Sequence, residues 1–197
     1  LGNSWKADVI IDKSYPENAH IDNYRDFALY FQDEDNILGT SFMPYLQNVA
    51  GLTGVNYRLE PWSYREDEGC ELGNMFTACV VADSDPATPT IKAHAGDNVM
   101  INVFGAHNEQ NQMFNVDGHQ WRRHLNQEGS DMIDVEEFGG GEYIQAFFNA
   151  GGTYKNPGTY LWLDARTPYQ QAGQWGYMKV LPSGDRSILP LGKATIK

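Results

Sequence analysis

Cysteine is nearly missing from this sequence, with Cys70 and Cys79 the only two in 197 residues. The stretch between them holds no histidine, and its spacing is too wide for a zinc knuckle. A disulfide closing this loop is the first expectation and implies an exported protein, extracellular or periplasmic. Two buried free thiols are the alternative. Long apolar runs are missing too, since none nears the roughly 18 residues of a membrane span. Positive charge is scarce: 14 Lys and Arg stand against 26 Asp and Glu, a net charge of −12. Such a field repels nucleic acid and anionic membranes and favours cations or basic partners, although a solubility charge explains it more simply. Nucleotide-binding and hydrolase fingerprints are missing, and no nucleophile–base pair stands out. The sequence opens at Leu1 without an initiator Met or the basic and apolar regions of a signal peptide. It is expected to be a piece of something longer, a removed signal being the other reading.

What is present points to strands and turns. Hydrophobic residues at 41% and charged ones at 20% are ordinary for a globular chain, and 20 Gly, 9 Pro and 13% aromatics favour sheet over helix. Residues 25–32 alternate, putting Phe27, Leu29 and Phe31 on one buried face. Further short strands are expected at 8–11, 54–60, 90–93, 98–104, 113–116, 132–135, 143–148, 158–163 and 176–181, separated by turn signals. Residues 39–54 read as loop with a short helical turn, and 61–88 as a long connection. The expected architecture is an all-β Greek-key sandwich or barrel over 25–181, with an irregular N-terminal arm at 1–24 and a C-terminal tail or linker at 182–197.

Three segments carry a resemblance. They are Thr90-Ile-Lys-Ala-His-Ala-Gly-Asp97, then Gln112-Met-Phe-Asn115-Val-Asp117-Gly118-His119-Gln-Trp121, then Pro157-Gly158-Thr159-Tyr160-Leu-Trp162 through Gly173-Gln174-Trp175-Gly176. In order and spacing these are similar to a cupredoxin domain of the multicopper oxidases. The stretch from Phe27 and the later Gly54-Val-Asn-Tyr-Arg resemble its ceruloplasmin-like members. The resemblance implies a cupredoxin-like fold over 25–181. It also assigns the copper-ligand positions, and every one is changed. The histidines of the second segment fall on Gln112, Asn115 and Asp117, while His119 matches a family histidine that is not a ligand. The His-Cys-His of the third falls on Leu163, Asp164 and Ala165, the later histidine on Tyr169 and the axial Met on Gln174. A blue-copper site needs a thiolate and two imidazoles, which these side chains do not offer.

The five histidines, His20, His94, His107, His119 and His124, read as structural or surface residues. Arg122, Arg123 and His124 read as surface charge, with a docking patch as the alternative. Acidic residues at Asp33, Glu34 and Asp35 form one calcium candidate, and Asp131, Asp134, Glu136, Glu137 and Glu142 a weaker one. Phe42, Met43, Tyr45, Leu46, Trp62 and Tyr64 sit in connections where they are expected to reach the surface. The expected function is a copper-free cupredoxin domain serving as a structural or assembly module of an exported multicopper-oxidase-like protein. It would carry no catalytic residues or cofactor of its own, and copper only where other domains supply it. Its partners would be other cupredoxin domains or copies of itself. The rivals are a self-assembling extracellular filament or surface-layer subunit, and a subunit of an active copper oxidase whose ligands come from partner chains.

Overall fold

Alternation along the chain sets two sheets face to face. The computed structural model describes residues 5–34, 52–67, 69–76, 85–108 and 110–192. Its elements are β1 (Lys6–Val9), β2 (Tyr24–Glu34), β3 (Leu52–Val55), α1 (Trp62–Asp67), β4 (Ile91–His94), β5 (Asn98–His107), β6 (Gln112–Val116), β7 (Trp121–Arg122), β8 (Met132–Ile133), β9 (Val135–Phe138), β10 (Tyr143–Asn149), β11 (Gly158–Asp164), α2 (Thr167–Ala172) and β12 (Trp175–Leu181). One sheet runs β1-β2-β5-β10, with β3 also on β2; the other runs β4-β12-β11-β6-β9; β7 and β8 pair separately. The β2–β5 and β4–β12 pairs are parallel, which hairpins cannot make, so the chain crosses between sheets as a Greek-key sandwich does. The all-β cupredoxin-like expectation holds.

Inward residues of the first sheet (Phe27, Leu29, Phe31, Val99, Ile101, Val103) meet Phe114, Val116, Trp162, Met178 and Val180 of the second, all 3% exposed or less. Burying each aliphatic or Phe side chain stabilises the fold by about 1.5–3 kcal/mol. Trp162 dominates the second sheet, and its neighbour across the ladder is Gly176. A Cβ there would sit inside the indole, so this strand position has to be glycine.

The outer face of the second sheet is covered as well. Leu163, Trp175 and Tyr177 pack against Trp62 and Phe76, and Arg65 lies 4.7 Å over the Trp175 ring. Here the expectation for Trp62 is corrected: its indole turns inward against Phe76 at 5.4 Å, because exposed sheet aromatics recruit it. Tyr64 is exposed at 58%. Phe42, Met43, Tyr45 and Leu46, and the helical turn expected near them, lie outside the described residues.

Other local expectations also change. The strand expected at 54–60 ends at Val55, where Asn56 and Tyr57 take φ of 54° and 60° and Val55 and Arg58 bond reciprocally, the geometry of a tight hairpin turn. Asn56 tolerates that conformation and fixes it by bonding the Tyr30 N–H and the Ala28 carbonyl of β2. The single strand expected at 132–135 breaks at Asp134 into β8 and β9, which belong to different sheets. Both termini of the described chain are engaged. β1 pairs with β2, and the carbonyls of Asp185 and Leu189 bond His94 and Arg25. Among the described residues no helix is long and apolar enough to cross a membrane.

Candidate functional site

The inward phase of several strands ends in a polar residue at the same end of the sandwich. On β2 the series Phe27, Leu29, Phe31 continues to Asp33, and on β3 Val55 is in phase with Thr53, the ladder partner of Asp33. On β6 Gln112 precedes Phe114 and Val116, on β11 Asp164 follows Trp162, and Gln174 precedes Gly176 and Met178 of β12. These five side chains are shut off from solvent: Asp33, Gln112, Asp164 and Gln174 are 0% exposed and Thr53 2%. Phe114 and Phe138, the ladder partners of Asp164 and Gln112, meet Phe31 edge to face, as does Trp162.

Part of this layer is bonded. Asp164 Oδ1 accepts the backbone N–H of Arg166 at 2.7 Å and of Met113 at 3.2 Å. Gln174 Nε2 donates to the Gln32 carbonyl at 3.0 Å, tying the two sheets together. Asp33 Oδ2 accepts the Gln110 N–H at 3.3 Å. Burial pushes the Asp164 carboxyl up to about 7, opposed by its bonds from Arg166 and Met113 and by the Arg166 charge, and reinforced by the Asp33 charge. The Arg166 guanidinium donates to Gln110 Oε1 and to the Asn111 carbonyl and lies 4.9 Å over the ring of Tyr169, which is 1% exposed. Its helix α2 ends at Gly173, whose φ of 116° excludes a side chain.

Of the positions the resemblance assigns to copper, Gln112, Asp164 and Gln174 face this layer, with Tyr169 buried on the adjoining helix. The others point away. Leu163 and Asn115 are ladder partners on the outer face, Leu163 against Trp175 and Asn115 donating to the Asp134 carbonyl at 2.8 Å. Ala165 and Asp117 are exposed. Strand alternation makes this split unavoidable, because Leu163 and Asp164 are neighbours and face opposite sides.

His119 lies at the other end. It is 2% exposed, held between the rings of Phe148 at 4.7 Å and Tyr160 at 4.8 Å. Its Nε2 accepts the Gly151 N–H at 3.0 Å, so Nδ1 carries the proton and donates to the Asp117 carbonyl at 2.8 Å. Burial lowers its pKa, opposed by the Asp117 carbonyl bond and charge. His94 is buried as well, with Nδ1 accepting from Arg25 at 3.3 Å. His124, Arg122 and Arg123 are exposed.

Among the described residues no three carboxylate, imidazole or thiol side chains converge. The Glu34 side chain, Asp35 and Cys79 lie outside the described residues. In the second acidic stretch Glu136 accepts the Trp121 indole N–H at 3.3 Å, Glu137 accepts from Asn111 at 2.7 Å and Glu142 accepts the Gly139 N–H at 2.6 Å, three separate contacts. Cys70 is buried with Met75 against Trp62, on the outer side of the second sheet.

A family model described as multicopper oxidase matches residues 68–185, more than half of the sequence. The chain belongs to the multicopper oxidase family. No curated protein shows significant sequence similarity to it. A multicopper oxidase from Campylobacter jejuni, described as a metallo-oxidase, has a TM-score of 0.51 at 11% identity, over 79% of this chain and 30% of that one. The 2F4 variant of the McoA multicopper oxidase from Aquifex aeolicus gives 0.50 at 12% identity, over 79% and 29%. The chain thus spans under a third of either protein, and identities this low establish the fold alone.

At the positions that the resemblance assigns to copper, this domain carries neither thiolate nor imidazole. Blue copper takes a thiolate, two imidazoles and a weak axial ligand. The inward residues supply carboxylate, amide and hydroxyl oxygens, and Leu163 and Ala165 have no donor atom. Thr53 and Arg166 are the members of this region that sequence reasoning missed. Thr53 could have been found by extending the Val55 phase two residues back. Arg166 carried no signal, since only the fold brings it to Gln110.

Proposed function

We propose that this chain is a copper-free cupredoxin domain that serves as a structural or assembly module of an exported multicopper-oxidase-like protein. The observation that carries the reading is the exchange of donors on a retained scaffold. Trp162, Gly173 and Gly176 keep their packing roles, while the inward positions between them hold Gln112, Asp164 and Gln174. A domain that folds this way cannot pass electrons through a thiolate-bound copper of its own, so what remains is its surface.

That surface offers a contact face. On the outside of the first sheet Tyr30, Phe104 and Tyr143 stack in a row across three strands at 4.7 and 5.0 Å, and the two tyrosines are 43% and 48% exposed. Exposed aromatic rows are favoured anchors of protein contacts. Export is supported by pairing Cys70 with Cys79, which we include in the proposal; no described cysteine is free. Light scattering on residues 1–197, alone and mixed with flanking cupredoxin domains, tests the assembly reading. A mass above the monomer, reduced by Tyr30→Ser with Tyr143→Ser, is expected. A monomer that ignores every flanking domain contradicts it.

A further inference from the structure

The hairpin of β7 and β8 has two faces. Trp121 and Ile133 are ladder partners packed on the core, where Trp121 is fully buried and its indole donates to Glu136 at 3.3 Å. Alternation therefore turns the other ladder pair, Arg122 and Met132, away from the core. Phe147 and Asn149 take the outward phase of β10, because Ala146 and Phe148 are buried. Between hairpin and strand lies an open cavity of about 370 Å³, lined by these four residues and by Gln120 and Thr153. It sits at the His119 end of the sandwich, since Gln120 follows His119 and Thr153 lies two residues after Gly151, whose N–H bonds that imidazole. The positions assigned to copper gather at the opposite end.

We propose that this cavity binds a small organic carboxylate with a flat apolar body. Its volume falls at the low end of the range for ligand pockets, about 300–1,000 Å³, which suits a ligand of roughly 10–15 non-hydrogen atoms. Charge decides the polar group. The sequence holds 26 Asp and Glu, yet no described carboxylate pairs with Arg122. Its guanidinium donates to the Ser130 carbonyl at 3.4 Å, a long bond that leaves a planar fork of donors for a carboxylate to meet with two parallel bonds. One guanidinium offsets one negative charge, so a carboxylate suits it better than a phosphate dianion in a chain of net charge −12. Arg123 and His124 are exposed too, but neither lines the cavity. The apolar body meets Phe147 and Met132. Phe147 is braced edge-on by Tyr24, with ring centroids 6.1 Å apart, and Met132 is 53% exposed and adaptable enough to lie along a ring. The polar wall is set in advance, because Asn149 donates to Asn98 Oδ1 at 2.6 Å and Asn98 donates to the Asn23 carbonyl at 3.1 Å. Such preorganisation lowers the entropy lost on binding. The site is independent of any assembly role and of the loss of copper ligands.

The test is an NMR titration of the backbone amides of the whole chain with naphthoate, with naphthamide and phenyl phosphate as comparisons. Saturable shifts are expected at Gln120, Arg122, Asn149 and Thr153, with a dissociation constant of about 1 mM or below. Naphthamide, equal in shape and uncharged, should bind about tenfold more weakly or worse, and phenyl phosphate no more tightly than naphthoate. Arg122→Gln should weaken naphthoate by about tenfold or more and leave naphthamide unaffected. Its melting temperature should match that of the wild type, because Arg122 is exposed. Arg123→Gln should leave every titration as it was. The absence of saturable shifts at these residues overturns the proposal. So does naphthamide binding as well as naphthoate, tighter binding of phenyl phosphate, or naphthoate binding untouched by Arg122→Gln. Equal losses in Arg122→Gln and Arg123→Gln, the mark of unspecific surface charge, overturn it as well.

Discussion

At the scale of single residues, His119 shows how a side chain can be fixed without serving a metal. Both of its nitrogens are spent on backbone groups, clipping the turn after β6 to the turn after β10. Since the folded pKa lies below the usual 6.5, the unfolded chain takes the proton first as pH falls. The stability owed to neutral His119 is therefore present above about pH 6.5 and is lost as pH drops through the folded pKa. Urea denaturation between pH 5 and 8 should show this slope, and His119→Ala should flatten it. The same variant should cost about 1–3 kcal/mol, because the Gly151 N–H stays buried without its acceptor. An unchanged slope in the variant would remove His119 from the account. Gly176→Ala is the opposite experiment, adding one carbon against Trp162. Overpacking of this kind costs about 1–3 kcal/mol, read as a shift in denaturation midpoint at constant slope.

At the scale of elements, Arg25 is the joint of the far end. It is 4% exposed and bonds Asp97 at 2.6 Å, Asp8 of β1 at 2.9 Å and the Leu189 carbonyl at 2.7 Å. Arg25→Ala would strand Asp97 and release both chain ends, at a cost of about 3–5 kcal/mol. Hydrogen exchange should speed up first in residues 6–9 and 185–189; exchange rising evenly across the sheet would contradict this. Arg25 itself was legible, being in phase with Phe27, Leu29 and Phe31 on β2. Most strands were legible for the same reason, since a period of two survives wherever one face is buried. The failures share a cause. β3 stops because Asn56 and Tyr57 turn left-handed, and α2 forms in a stretch opened by Pro168 and closed by Gly173, neither of which alternation can show. The polar layer was half legible. Gln112, Asp164 and Gln174 could be marked as changed positions, but their gathering at one end of the sandwich depends on the register of several strands.

At the scale of the whole molecule, the two ends of the sandwich have different tasks. One is closed by the Arg25 joint and the His119 clip, both satisfied. The other carries Gln112, Asp164 and Gln174, three of the positions that the resemblance assigns to copper. The fold was legible because three motifs in fixed order outweigh the irregular connections between them. The loop between Cys70 and Cys79, whose pairing is proposed above, belongs to one such connection. On the chain-entropy model a bond there stabilises the protein by about 2–3 kcal/mol. Non-reducing digestion and mass spectrometry should recover the linked peptides, and two alkylatable thiols in native protein would contradict the pairing.

The central claim is that this domain has kept the scaffold of a copper protein without the capacity for blue copper. Reconstitution of the whole chain with cupric ion, followed by metal analysis and visible absorption after desalting, tests it most directly. The account predicts no stoichiometric copper and no thiolate-to-copper charge-transfer band, with Gln112→His or Asp164→Cys alone unable to create one. One tightly held copper per chain with the blue band would contradict it.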